Sequence, residues 1–294
     1  MAERMRIHRH TRAGTLKGEL LASEDEDELC RALVEAKENA LSGTFPLLVH
    51  TTSQASEQAQ QERENKRRAL LAGKLGRYVF KHSTRQGERV VKIAEVVTLG
   101  NQLAGILSTS VAKREHLLQQ RTELLNLATT HSCGYLELRR GPYLVRSCQV
   151  QTLIPPHLLT LDDVLPGELK RYGDDALEPL AVAIAAMHQR GFFHADLKGF
   201  HAHVQNLTPQ PMGPSHYHLT WIDLARVAFH ITRRRRLINL YQVTRFILPA
   251  RPSAHARFIN TYSQMIGLSS RQTTRMKDDV ARFLAHKYLT HPVA

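Results

Sequence analysis

Phe192-Phe193-His194-Ala195-Asp196-Leu197-Lys198, followed downstream by Trp221-Ile222-Asp223-Leu224-Ala225-Arg226, is the pair of stretches on which the fold of this chain turns. Ahead of the first, Asp174 to Arg190 carries Leu180, Ile184 and Met187 on one helical face, and Gly191 is placed to stop the helix. Between the two stretches, a Pro/Gly-rich loop at 208–215 leads into a strand expected from His218 to Leu224. Each aspartate therefore comes at the end of an apolar strand. A carboxylate there must be solvated, paired or metal-bound, because burying a bare charge is costly. Two such carboxylates on neighbouring loops match a division of labour needed in phosphoryl transfer, where one orients a hydroxyl and the other holds Mg²⁺.

Upstream, the pattern is one of short strands. Arg77 to His82 and Arg89 to Glu95 flank the turn Ser83-Thr84-Arg85-Gln86-Gly87 and read as a β-hairpin. In Val90-Val91-Lys92-Ile93, strand alternation turns Lys92 away from Val91 and Ile93. A helix is expected from Ser110 to Leu127, with Leu117, Leu118, Leu124 and Leu125 on its apolar side and Glu115 near its start. Tyr135–Leu138 and Tyr143–Leu153 read as two more strands, the second ending at Pro155-Pro156. Helices, beginning with Leu161-Asp162-Asp163-Val164-Leu165, are expected to dominate the remainder of the chain. Near the start of the chain, Ser23-Glu24-Asp25-Glu26 fits a capping box for a helix carrying Leu29, Ala32, Leu33, Ala36 and Ala40 and closed by Ser42-Gly43. Phe45 to His50 reads as a short strand, 52–68 as a polar helix or linker, and a boundary is expected near residue 70.

These elements predict an α+β chain of three parts: an N-terminal extension (1–72), a small β-rich lobe (73–153) and a larger helical lobe (154–294). The 294 residues, 42% hydrophobic, are enough for a packed core and exclude wholesale disorder. Three cysteines, odd in number and without a CxxC pair, argue against a disulfide scaffold or structural zinc and fit a reducing compartment. No apolar stretch approaches the roughly 20 residues of a membrane span. The net charge of +13 is concentrated beyond residue 200, where 13 Lys+Arg face 3 Asp+Glu and Arg233-Arg234-Arg235-Arg236 run together. Such a field attracts polyanions: nucleic acid, acidic lipid or phosphorylated sugar. The histidines 194, 201, 203, 216 and 218 match no paired-ligand spacing, so zinc or iron chemistry is not expected of them.

HADLK at 194–198 is similar to the catalytic loop of protein kinases, and WIDLAR at 221–226 looks like a degenerate DFG segment. Together with the basic, His-rich composition, these motifs resemble the lipopolysaccharide kinases of Gram-negative bacteria, which phosphorylate heptose or Kdo sugars of the inner core. The resemblance spans about residues 74–250 and implies a two-lobe protein-kinase-like fold that uses ATP and Mg²⁺. It implies Asp196 as catalytic base, His194 as brace of its loop and Lys198 as a phosphate contact. Lys92 and Glu115 would form the phosphate-binding pair, with Glu123 a second candidate for the acid, and Asp223 would chelate the metal. His201 stands where most kinases have a metal-binding Asn, and the heptose kinases tend to carry His there. Imidazole suits Mg²⁺ poorly, so His201 would either ligate the metal weakly or donate a hydrogen bond to Asp196 or a phosphate oxygen, and the donor role is preferred because the Asp223 carboxylate can already anchor one Mg²⁺.

Three departures stand against that pattern. No GxGxxG precedes Lys92, leaving Gly73 and Gly76 as the nearby glycines; Ala225 replaces the Gly of DFG; and no APE segment is present. They keep open a pseudokinase or regulatory nucleotide-binding module, with a basic nucleic-acid-binding protein as the alternative from another class. Few aromatics interleave with Arg233–Arg236, so nucleic acid is not the expected partner. The expected partners are an anionic glycolipid substrate, the lipopolysaccharide core, and an anionic membrane surface. The expected location is the cytoplasm, peripheral to the inner face of the inner membrane.

Overall fold

The computed structural model describes residues 3–22, 24–35, 38, 57–71, 76–96, 98, 102, 105–106, 108–155, 157–210 and 213–290. The chain divides into two compact units, Met1–Arg121 with Thr130–Ile154 and Thr122–Thr129 with Pro155–Ala294.

The first unit is built on an antiparallel sheet of six strands: β1 (Arg4–Thr11), β2 (Gly14–Leu21), β3 (Arg77–Thr84), β4 (Gly87–Glu95), β5 (Ser132–Arg140) and β6 (Tyr143–Thr152). Their order across the sheet is β1-β2-β5-β6-β4-β3. Residues 4–21, expected to lie in an extension ahead of the lobe, are thus part of its sheet, and β2 pairs with β5. β1 escapes sequence reading because it is an edge strand with Ile7 as its one buried residue, and with Arg6, His8, Arg9 and His10 exposed. Helix α1 (Glu26–Val34) buries Leu29, Cys30, Ala32 and Leu33. Its cap is Asp25, whose carboxylate accepts the Glu28 N–H at 3.0 Å, two residues later than the Ser23 cap expected from sequence. The expected continuation through Ala36 and Ala40 to Ser42-Gly43, and the strand Phe45–His50, lie outside the described residues. The polar segment after them forms helix α2 (Glu57–Leu71), and the boundary expected near residue 70 abuts 72–75, outside the described residues. Leu16 and Leu20, Leu29 and Leu33, Phe80, Val91 and Ile93, and Leu136 and Val150 form one core beneath α1.

Helix α3 (Val111–Leu124) departs from its expected face. Leu117 and Leu124 are exposed at 49% and 75%, while Glu115, His116 and Gln119 are buried. The buried side is polar because the sheet supplies partners for it. His116 Nδ1 lies 2.7 Å from Ser132 Oγ, and the Gln119 amide meets both Thr130 and Gln149. Buried polar groups persist where hydrogen bonds offset their lost hydration, and an apolar-stripe pattern cannot find a helix packed this way.

The second unit is mainly helical: α4 (Leu161–Tyr172), α5 (Leu177–Gln189), α6 (Arg233–Phe246), α7 (Pro252–Met265) and α8 (Ser270–Thr290). Thr160 and Asp163 close a capping box at the start of α4. Leu180, Ala181, Ile184, Ala185 and Met187 of α5 are fully buried, and Gly191 (φ 77°) ends the segment as expected. A hairpin of β8 (Ala202–Gln210) and β9 (Gly213–Trp221) replaces the single strand expected before Asp223. Two short strands, β7 (Phe193–His194) and β10 (Val227–Ala228), pair antiparallel and tie the chain just before Asp196 to the chain just after Asp223. No helix among the described residues is long and apolar enough to cross a membrane.

Candidate active site

Asp196, His201 and Asp223 come together in the second unit, each offering one ligand atom, all within 4.8 Å of one another. Backbone and imidazole hydrogen bonds build the cluster. The Asp196 N–H donates to His194 Nδ1 at 3.3 Å, so the proton of that ring sits on Nε2, which donates to the Ile222 carbonyl at 2.9 Å. His194 therefore links one loop to the other from a position 1% exposed. Burial pushes its imidazole down to about 4, so the ring is neutral at pH 7 and keeps both bonds. The Ala195 N–H donates to the Arg226 carbonyl at 3.1 Å, and the Ile222 N–H to the His201 carbonyl at 3.0 Å. Asp223 itself adopts left-handed backbone angles (φ 55°, ψ 57°), a conformation Asp tolerates better than most residues and one that recurs at functional sites.

Both alternatives for His201 find a nitrogen. Nδ1–H donates to the backbone carbonyl of Asp196 at 2.6 Å, rather than to its carboxylate. Nε2, the acceptor nitrogen in that tautomer, lies 3.8 Å from Asp223 Oδ2. Lys198 Nζ contacts both oxygens of Asp196, at 3.1 and 3.2 Å. Asp196 and Asp223 are partly exposed, at 38% and 47% of their side chains, as groups that meet a ligand must be.

The turn between Lys198 and His201 is held from below. Asp162 of α4 packs so closely against Gly199 that a Cβ there would fall 1.6 Å from its Oδ1. Burial, with Asp163 adding to it, raises the carboxyl of Asp162, which accepts from the Phe200 backbone.

Sequence reading does not find the residues that anchor this loop from α5, α6 and α7. Asn239 is fully buried and all four of its amide positions are used. Its oxygen accepts from the His194 N–H at 3.4 Å and from His188 Nε2 at 3.1 Å. Its nitrogen donates to the His194 carbonyl at 2.5 Å and to Gln242 Oε1 at 2.8 Å. Gln242 Nε2 donates on to the Ala195 carbonyl at 2.6 Å, and the Tyr262 hydroxyl donates to His188 Nδ1 at 2.6 Å. The one signal in the sequence is Asn239 and Gln242, two amides three residues apart among the apolar residues of Leu237 to Val243.

In the first unit, Lys92 on β4 and Glu115 on α3 form an ion pair, with side chains 20% and 7% exposed. Gly76 precedes β3, where its carbonyl accepts from the Glu95 N–H at 2.8 Å; Gly73 lies outside the described residues. Of the other histidines, burial lowers His203, and the side chain of His216 lies outside the described residues. The Arg233–Arg236 run is not one free patch. Arg233 pairs with Asp279, Arg235 bonds the His230 carbonyl at 2.6 Å and lies over the Phe193 ring, and Arg234 is exposed.

A β-rich unit carrying a strand-lysine/helix-glutamate pair, and a helical unit carrying two loop aspartates, define the two-lobe protein-kinase-like fold. Among solved structures, the chain is similar to WaaP in complex with acyl carrier protein, with a TM-score of 0.51 and 20% identity over 73% of this chain and 85% of that one. At this identity the likeness is one of fold. No family model matches the chain. No curated protein matches it either.

Proposed function

We propose that this protein is an ATP-dependent phosphotransferase acting on a sugar hydroxyl, of heptose or Kdo, in the lipopolysaccharide inner core. The observation that carries the proposal is the convergence of Asp196, His201 and Asp223 on two loops locked to each other and to α6. The kinase fold and the motif resemblance support the same chemistry.

In this reading Asp196 orients the acceptor hydroxyl and takes its proton as the hydroxyl oxygen attacks the γ-phosphorus in line, while the bond from that phosphorus to the β–γ bridging oxygen breaks and ADP leaves. Lys198, already against both Asp196 oxygens, meets the charge building on the transferred phosphoryl group. Lys92, held by Glu115, contacts the phosphates of ATP. His194 stays neutral and positions Asp196 without touching substrate. Asp223 would hold Mg²⁺ through its carboxylate, with His201 Nε2, 3.8 Å from that carboxylate, as a weaker second ligand. When bound, the ion would neutralise phosphate charge. The rest of the rate comes from alignment and fixed charge. The basic start of α6 favours residence at an anionic membrane surface on the cytoplasmic side, near an anionic glycolipid acceptor.

The test is transfer of γ-labelled phosphate from ATP to core glycolipid lacking that phosphate, by purified protein. Label entering the sugar supports the proposal. Nucleotide binding without transfer would leave a regulatory nucleotide-binding module instead. Loss of nucleotide binding together with salt-sensitive RNA binding would indicate a nucleic-acid-binding protein.

A further inference from the structure

Resting on the placement of the acceptor against Asp196 in that proposal, we infer that Arg226 recognises the acceptor, binding a carboxylate or phosphate group carried next to the hydroxyl that is phosphorylated. Residues 224–277 hold 11 Lys+Arg and not one Asp or Glu. Several of these cations are answered by acids outside that stretch: Arg233 by Asp279, Arg251 by Asp174, and Arg257 by Asp175 and Glu178. Arg226 is exposed, and among the described residues its guanidinium has neither a hydrogen bond nor an ion pair. Its backbone, by contrast, is tied directly to the loop of Asp196.

That tie fixes where the side chain starts. The Arg226 carbonyl accepts from the Ala195 N–H at 3.1 Å, one residue before Asp196. Beyond Arg226, Val227 and Ala228 pair with His194 and Phe193. Before it, Leu224 is 2% exposed, and the Val227 N–H closes the turn Leu224–Arg226 on the Leu224 carbonyl. The root of Arg226 is thus held by the same short ladder that leads into Asp196, and a group bound by its guanidinium stays close to the carboxylate that orients the hydroxyl. Holding a ligand at two points of one rigid frame is what aligns a reacting oxygen. Arginine suits the task, because its planar fork meets two oxygens of a carboxylate or phosphate and it stays charged. Neighbouring groups favour an anion there. Asp196 is already paired with Lys198, and Arg235, over the Phe193 ring on the adjoining strand, adds positive field.

The experiment uses lipid-free core oligosaccharide lacking the target phosphate, in three forms: intact, with its carboxyls reduced to alcohols, and with its remaining phosphates removed. Binding to the full-length protein is measured by titration calorimetry without nucleotide, and initial rates are measured with ATP. Arg226→Gln should weaken binding of the intact form about tenfold, the lower end for a charge-assisted hydrogen bond, and raise the Michaelis constant for this acceptor in step, with that for ATP unmoved. At least one of the two neutralised forms should bind the wild type as weakly as the intact form binds Arg226→Gln, and should be indifferent to the substitution; which one does so identifies the anion. Arg226→Lys should recover part of the loss. Arg275→Gln, which removes an equal charge from an exposed position on α8, should keep the wild-type discrimination among the three forms. Equal binding of the intact form by wild type and Arg226→Gln, an equal loss for all three forms, or a raised Michaelis constant for ATP instead would overturn the inference. Arg226-dependent binding of the charged form without phosphoryl transfer would sink the kinase proposal while upholding the anion contact.

Discussion

Lys92 and Glu115 are carried by regular elements, a strand of 9 residues and a helix of 14. Asp196, His201 and Asp223 stand on short segments whose regular structure is a two-residue strand and two 3₁₀ turns. The first pair needs only the pleat of β4 and the pitch of α3 to meet. The second group needs a lattice of buried polar side chains, drawn from three helices, to hold backbone that would otherwise wander. A site built on elements inherits their stability, whereas a site built on loops depends on each anchor being fully satisfied.

The largest expected effect tests the loop site. Asp196→Asn keeps the shape of the side chain but removes the proton acceptor, so turnover should fall about 10²–10⁴-fold. Thermal unfolding should stay close to that of the wild type, since Asp196 is partly exposed and its ion pair with Lys198 is a surface pair. Activity near wild type would strip Asp196 of its role.

Asn239→Ala sharpens the comparison, because it touches the anchor and no reacting group. It leaves the His194 backbone groups and His188 without their buried partner, at about 1–3 kcal/mol for a buried group left unsatisfied. Melting temperature and turnover should fall together, with the apparent Michaelis constant for ATP little changed. A variant as stable and active as wild type would mean the loop holds itself.

These anchors also explain how much of the molecule is legible in the sequence. Lys92 is legible because strand alternation is local, and Asp196 and Asp223 because they come after apolar strands in a recognisable order. Asn239, Gln242 and His188 are not, since a buried amide inside a helix looks like an ordinary polar position until its partners, 45 to 51 residues away, are known. The face of α3 is hidden for the same reason: its buried side is Glu115, His116 and Gln119, paired with groups on the sheet and its flanking loop. The hairpin β1–β2 escapes notice because its outer strand alternates weakly.

Acid should strain both units through their buried histidines. Burial lowers His116 in the first unit, and His188 and His194 in the second, each to about 4. Unfolded histidine titrates near 6.5, so between about pH 6.5 and 4 the unfolded chain binds protons that the native one refuses. Stability is therefore full above that window and is lost as pH falls through it, by up to about 1.4 kcal/mol per pH unit for each ring. Melting temperatures measured from about pH 7.5 to 4, a range that spans the window, should drop steeply, and His188→Gln should flatten the slope. A flat profile for the wild type would contradict the buried, neutral rings.

The smallest effect concerns the basic start of α6. With Arg233 and Arg235 engaged inside the unit, Arg234 is the residue of the run most available to an anionic surface. Arg234→Gln should weaken co-sedimentation with anionic vesicles by about 1 kcal/mol, about fivefold, and raised salt should erase the difference. Binding that ignores both the substitution and the salt would remove the membrane from the proposal.

The most direct measurement is mass spectrometry of core glycolipid from cells disrupted in this gene and complemented with wild type or with Asp196→Asn. Disrupted cells should lack the mass of one phosphoryl group on an inner-core sugar, wild type should restore it, and Asp196→Asn should not. Core glycolipid of unchanged mass in the disrupted cells, or full restoration by Asp196→Asn, would contradict a sugar kinase working through Asp196.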